Sequence, residues 1–101
     1  MERIADYEYQ YIDFLKSIIA IQSMTGNEKA LAVYIKNKLI ENKVNECFID
    51  GCGNLVAVIR GTGKGPDIML NGHLDTVPAG NAEEWLPYDP FNAVVDKDKN
   101  L

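Results

Sequence analysis

Apolar side chains recur at three- and four-residue steps from the start of the chain. Ile4, Tyr7, Tyr11, Leu15 and Ile18 form a stripe that Ile12 and Ile19 widen, while Glu2, Asp6, Asp13 and Lys16 fall off it. That period predicts an amphipathic helix. Tyr7 and Tyr11 lie on the stripe and read as packing residues. Ser23 to Glu28 interrupts the pattern. Thr25 and Glu28 have the spacing of a capping box, with Asn27 as the alternative cap. A second helix is predicted from about Glu28 to Asn42, burying Leu31, Tyr34 or Ile35, and Leu39.

Beyond Val44 the helical period is lost. Glu46 to Asp50 predicts a short strand and Gly51-Cys52-Gly53-Asn54 a turn, because glycine and asparagine adopt positive φ at little cost. Leu55 to Arg60 predicts an apolar strand covered on both faces. Gly61 to Pro66 reads as a flexible connection. Ile68-Met69-Leu70 opens a third strand, which needs neighbours and a covering helix layer. Asn92 to Val95 predicts a further short strand, Asp96 to Asn100 a polar turn, and Leu101 the opening of a returning strand. The fold class is α/β: two helices, then a β-hairpin and a strand.

Composition narrows the function classes. The chain has 101 residues, 47% hydrophobic and 25% charged, which fits a soluble globular protein and argues against disorder. Ten basic residues against 15 acidic give a net charge of -5, a poor match to nucleic acid or to an anionic membrane. Lys29, Lys36, Lys38 and Lys43 lie on a stretch that also carries Glu28 and Glu41, and read as a solvated helix face. The longest unbroken apolar run, Leu55 to Ile59, is far short of the roughly 18 residues of a membrane span. The acidic start has no apolar export segment behind it, so a cytoplasmic location is expected. Cys47 and Cys52 have neither a disulfide-scaffold nor a zinc-pair spacing, and read as free thiols. The glycine-rich stretches fail as phosphate loops. Gly65 stands where a P-loop needs Ser or Thr after Lys64, and Val56 stands where Gly51-x-Gly53 would need its third glycine.

The third predicted strand runs into Asn71-Gly72-His73-Leu74-Asp75-Thr76-Val77-Pro78. In extended backbone His73 and Asp75 lie on the same side, at the carboxyl end of a strand, where α/β proteins place ligands. A carboxylate behind a metal-ligating histidine orients its ring and raises its basicity. Taken alone, such a pair is more often a hydrogen-bonded structural histidine. A zinc site also needs at least three protein ligands, and His73 is the single histidine of the sequence.

The wider pattern points further. Asn71 to Pro78, followed by Trp85 and then Asp89-Pro90-Phe91, resembles the M20 family of metallopeptidases and amidohydrolases, which includes acetylornithine deacetylase, succinyl-diaminopimelate desuccinylase, aminoacylase and carboxypeptidase G2. Ile21-Gln22-Ser23-Met24-Thr25-Gly26-Asn27-Glu28 resembles that family's I-P-S-x-S-G-x-E entry to its second helix, with Gln22 in place of Pro. Asn54-Leu55-Val56-Ala57 resembles the strand after its first hairpin. The resemblance covers nearly all of residues 1–101 and implies the N-terminal part of a zinc-peptidase-like catalytic domain. It implies that His73 is a metal ligand, and that Asp75 is the active-site carboxylate acting through His73. The implied cofactor is zinc, two ions in the complete site, with cobalt as a substitute. The implied reaction is hydrolysis of the amide bond of an N-acyl amino acid or small peptide by a metal-bridged water. Full-length members are often homodimers.

The family's later motifs, a G-R-G-x-x-D-x-K-G segment, a Glu-Glu pair and a final His, have no counterpart here. Glu83, Glu84 and Asp89 read as solvated loop acids and not as substitutes. Trp85 and Phe91 read as pins holding that loop to the body. The length therefore reads as a truncation, and the 101-residue chain by itself is expected to be inactive. Two rival readings remain from the residues: a non-catalytic remnant serving as a binding or oligomerising module, and a mononuclear zinc-binding domain.

Overall fold

Two helices and one hairpin form where the period of the sequence places them; the later strands do not. The computed structural model describes residues 3–96. Most of the polar turn expected at Asp96 to Asn100, and the returning strand expected at Leu101, lie outside the described residues. The chain divides into two compact units, one of Ser23–Thr76 and one of Met1–Gln22 with Val77–Leu101.

In the Ser23–Thr76 unit, α2 (Lys29–Glu41) packs on a two-stranded antiparallel sheet of β1 (Glu46–Ile49) and β2 (Leu55–Val58). Leu31 and Ala32 are the buried side chains of α2. Ile35 and Leu39, farther along the helix, are half-buried. The helix closes in a Schellman arrangement. Lys43 takes the left-handed conformation at φ 57, its N–H donates to the Ile40 carbonyl, and the Val44 N–H donates to the Leu39 carbonyl. β1 alternates as a half-buried strand should, with Cys47 and Ile49 inward and Glu46 and Phe48 outward. Glu46 stands opposite Val58 and Ile49 opposite Leu55. Arg60 forms an ion pair with Glu46 across the open end of the hairpin. Cys47 and Cys52 are free thiols.

The hairpin turn is organised by one carboxylate. Asp50 Oδ1 accepts from the N–H groups of Cys52 and Asn54, and its Oδ2 accepts from Asn54 Nδ2. Gly53, at φ 89, supplies the left-handed residue that this turn needs. The Asn54 side chain first, and then the backbone donors, hold the Asp50 carboxyl below its ordinary value of 3.8. A carboxyl lowered in the folded state contributes stability that is complete above the unfolded value and is lost as pH falls through the folded one. The turn is therefore expected to loosen as pH falls below 3.8, and the amide proton shifts of Cys52 and Asn54 in an NMR titration will report it. Asp50→Asn should abolish that pH dependence.

Three expectations are corrected. Leu55 to Arg60 is not covered on both faces: in β2 Ala57 is exposed, and just past it Ile59 is 79% exposed. Ile68, Met69 and Leu70 form no strand and are 85–92% exposed. A strand is stabilised by its ladder, and among the described residues this segment has no neighbour to pair with. Asn92 to Val95 likewise forms no strand, only an isolated bridge between Asp89 and Asn92.

In the other unit a 3-10 turn, Ile4–Tyr7, leads into α1 (Glu8–Ile19). Asp6 fixes the entry by accepting from the Arg3 N–H at 2.8 Å. The expected stripe is only partly sheltered: Ile12, Ile18 and Ile19 are half-buried, whereas Ile4, Tyr11 and Leu15 remain exposed. The rings of Tyr7 and Tyr11 pack at a centroid distance of 6.2 Å, as their spacing predicts. A second 3-10 turn, Ala82–Trp85, is capped by the Asn81 side chain, and the Trp85 indole donates to the Ala79 carbonyl at 2.8 Å. Glu83, Glu84 and Asp89 are exposed, as expected of solvated acids. Among the described residues no helix is long and apolar enough to cross a membrane.

Candidate functional site

Within the Ser23–Thr76 unit two short extended segments, far apart in sequence, lie side by side. Met24 and Thr76 form a parallel bridge, and the Thr76 N–H donates to the Ser23 carbonyl at 2.7 Å. The Ser23 hydroxyl donates to the Leu74 carbonyl at 2.8 Å, and Ser23 is only 2% exposed. A buried hydroxyl requires a partner, and here that partner is the backbone between His73 and Asp75. Ser23→Ala removes the donor and leaves the Leu74 carbonyl unpaired. A cost of about 1–3 kcal/mol is expected, measurable by urea unfolding.

His73 and Asp75 are brought together as their spacing predicts, although on extended backbone outside any sheet. His73 Nδ1 lies 2.7 Å from the Asp75 carbonyl oxygen and 3.1 Å from Asp75 Oδ1. Both neighbours are acceptors only, so the hydrogen bonds require Nδ1 to carry the proton. In neutral histidine that leaves Nε2 with the lone pair, the form in which imidazole binds a metal. The His73 side chain is 83% exposed and accessible to a ligand, while the Asp75 side chain is 34% exposed.

Thr25 completes the arrangement, and here the structure corrects the capping-box reading. Its hydroxyl donates to Asp75 Oδ2 at 2.6 Å and does not cap α2. Glu28 accepts from the Gly26 N–H at 2.7 Å instead. The two Asp75 oxygens thus have separate partners, Thr25 on one and His73 on the other. These bonds, Thr25 first and His73 second, hold the Asp75 carboxyl below the usual range. Ser23 and Thr25 were the functional candidates that sequence reasoning missed. Their signal is the Ser-x-Thr spacing, which matches His-x-Asp and puts both hydroxyls on one side of an extended segment.

Among the described residues no group of three or more His, Cys, Asp or Glu side chains is placed to hold a metal ion. His73 and Asp75 border an open groove of about 2200 Å³ that also includes β2 and Ile68 to Leu70. That is well above the roughly 300–1,000 Å³ of a formed small-molecule pocket, and reflects the space beside the unpaired segment.

Comparison with known proteins finds relatives that this chain matches over part of their length. A protein assigned as a LysW-lysine/LysW-ornithine hydrolase in Pyrococcus furiosus is 46% identical over 80 residues, 73% of this chain and 24% of the relative. The succinyl-diaminopimelate desuccinylase of Orientia tsutsugamushi is 34% identical over 93 residues, covering 87% of this chain and 23% of the enzyme. The YgeY protein of Escherichia coli is 30% identical over 95 residues, 93% of this chain and 23% of its own length. No family model matches, and no solved structure matches significantly. The chain thus spans about a quarter of the length of these curated relatives. Over that stretch it is a partial homologue of the M20 family of hydrolases.

Proposed function

We propose that this chain is part of a metal-dependent hydrolase acting on the amide bond of an N-acyl amino acid or small peptide. His73 donates Nε2 to a zinc or cobalt ion, and Asp75 orients the ring from behind. One observation carries this reading: His73 Nδ1 faces only acceptors, so Nε2 has the lone pair that a metal requires. Of the three or more protein ligands that a zinc site takes, His73 would contribute one. When bound, the metal would polarise the scissile carbonyl and lower the pKa of an attacking water. Asp75 keeps the imidazole in the ligating tautomer, and the exposure of His73 leaves that nitrogen open to the groove.

The substrate class is supported by the desuccinylase among the relatives, whose name describes removal of an acyl group from an amine. The test is to express the polypeptide of the full reading frame, strip it with a chelator, and assay N-acetyl and N-succinyl amino acids and dipeptides with added zinc or cobalt. Release of free amine that returns with metal is expected. Absence of metal-dependent release from every substrate would overturn the proposal. The 101-residue chain assayed alone is expected to show no turnover, because a zinc site requires at least three protein ligands and the sequence holds one histidine.

A further inference from the structure

We propose that Thr25 is a positioning residue for His73, acting through the Asp75 carboxylate. The inference rests on the reading of His73 as a ligand and extends it to a residue one step further back. Three observations carry it. The Thr25 hydroxyl donates to Asp75 Oδ2 at 2.6 Å, although the two residues are 50 positions apart. The other oxygen, Oδ1, is the one that faces His73 Nδ1. The backbone around both is fixed by Ser23, whose buried hydroxyl and carbonyl bond Leu74 and Thr76.

The chemistry follows from the donor and acceptor inventory. A carboxylate with one free oxygen rotates about its terminal bond, since that torsion is broad and roughly two-fold. Donation by Thr25 to Oδ2 removes that freedom and keeps Oδ1 aimed at the ring. The Nδ1–H then donates both to the Asp75 carboxylate, a charge-assisted bond, and to the Asp75 backbone carbonyl, a neutral one. The Nδ1–H tautomer is favoured by both, and Nε2 stays unprotonated. Thr25 needs no contact with metal or substrate for this. A capping threonine would have no such influence on the imidazole.

The test exploits His73 being the single histidine, so 15N-histidine labelling of the 101-residue chain reports that ring alone. Nitrogen shifts recorded well above the ordinary histidine pKa of about 6.5 give the ratio of the two neutral tautomers. The Nδ1–H form is expected to dominate in the native chain. Thr25→Val should lower the Nδ1–H to Nε2–H ratio about tenfold, the scale of one charge-assisted hydrogen bond. Thr25→Ser, which keeps the hydroxyl, should restore it. An unchanged ratio in Thr25→Val, with a circular dichroism spectrum like the native one, would overturn the proposal. So would an equal fall in Thr25→Ser, because the methyl group and not the hydroxyl would then be responsible. If Thr25→Val does not fold, Thr25→Ala, which also removes the hydroxyl, reads the same coupling, and an unchanged ratio there overturns it too. The measurement uses neither metal nor turnover, so its failure is distinguishable from failure of the hydrolase reading, which rests on the metal-dependent assay.

Discussion

His73→Ala is expected to reduce metal-dependent amide hydrolysis by the full polypeptide about a thousandfold, while leaving its folding unchanged. The two halves of that expectation have different origins. A metal acting as Lewis acid supplies several kcal/mol of transition-state stabilisation, and about 1.4 kcal/mol is tenfold in rate. Loss of a ligand forfeits most of that. Stability is another matter, because the His73 side chain is 83% exposed and buries almost nothing. Substitutions at such positions usually stay within about 0.5 kcal/mol. Asp75→Ala should be milder, about 10–100-fold in metal affinity, and partly rescued by excess metal, since it removes the orienting acceptor and not the ligand. Metal titrations followed by activity check both. Equal and unrescuable losses in the two variants would contradict the division of roles.

The second large effect concerns packing. Leu31→Ala is expected to destabilise the chain by about 2–5 kcal/mol, from lost transfer energy and the cavity left behind. Among the described residues Leu31 and Ala32 are the buried apolar side chains, at 7% and 2% exposure. A domain with a stability of about 5–15 kcal/mol therefore has much of its margin in one side chain. The melting temperature should fall by at least about 10 °C, followed by circular dichroism. Leu15→Ala on α1 provides the control. That leucine is 40% exposed, and its loss should cost about 1 kcal/mol or less. A Leu31→Ala variant melting with the control would show that α2 and the hairpin do not hold the unit together.

These expectations show which parts of the molecule the residues announce. Both helices and the hairpin are local structures. Their signals, the stripe through Tyr7 and Tyr11, the Leu31 face, and the glycines between Ile49 and Leu55, lie within a few residues of what they specify. His73 and Asp75 meet for the same reason, because an i, i+2 pair on extended backbone is adjacent whatever surrounds it. Ile68-Met69-Leu70 marks the limit. Three apolar side chains in a row announce a need for burial but do not name the partner, and with no ladder neighbour among the described residues the segment stays exposed and irregular. Thr25 marks another. A hydroxyl three residues before a glutamate suits a helix cap, and the same hydroxyl suits a carboxylate fifty residues away. Only the folded chain decides between them.

The bonds joining residues 23–25 to 74–76 also bear on when the site comes into being. They close a loop of 50–53 residues. By the loop-closure relation, bringing such distant points together costs about 3–4 kcal/mol of chain entropy beyond the constant term. The hairpin turn, closed by bonds four residues apart, carries a far smaller cost and can form early. The hydroxyl clamp is accordingly expected among the last contacts to form, once α2 and the sheet have shortened the path between its ends. A nascent or partly unfolded chain would carry the His-x-Asp sequence without the oriented imidazole, so ligating competence arises late in folding.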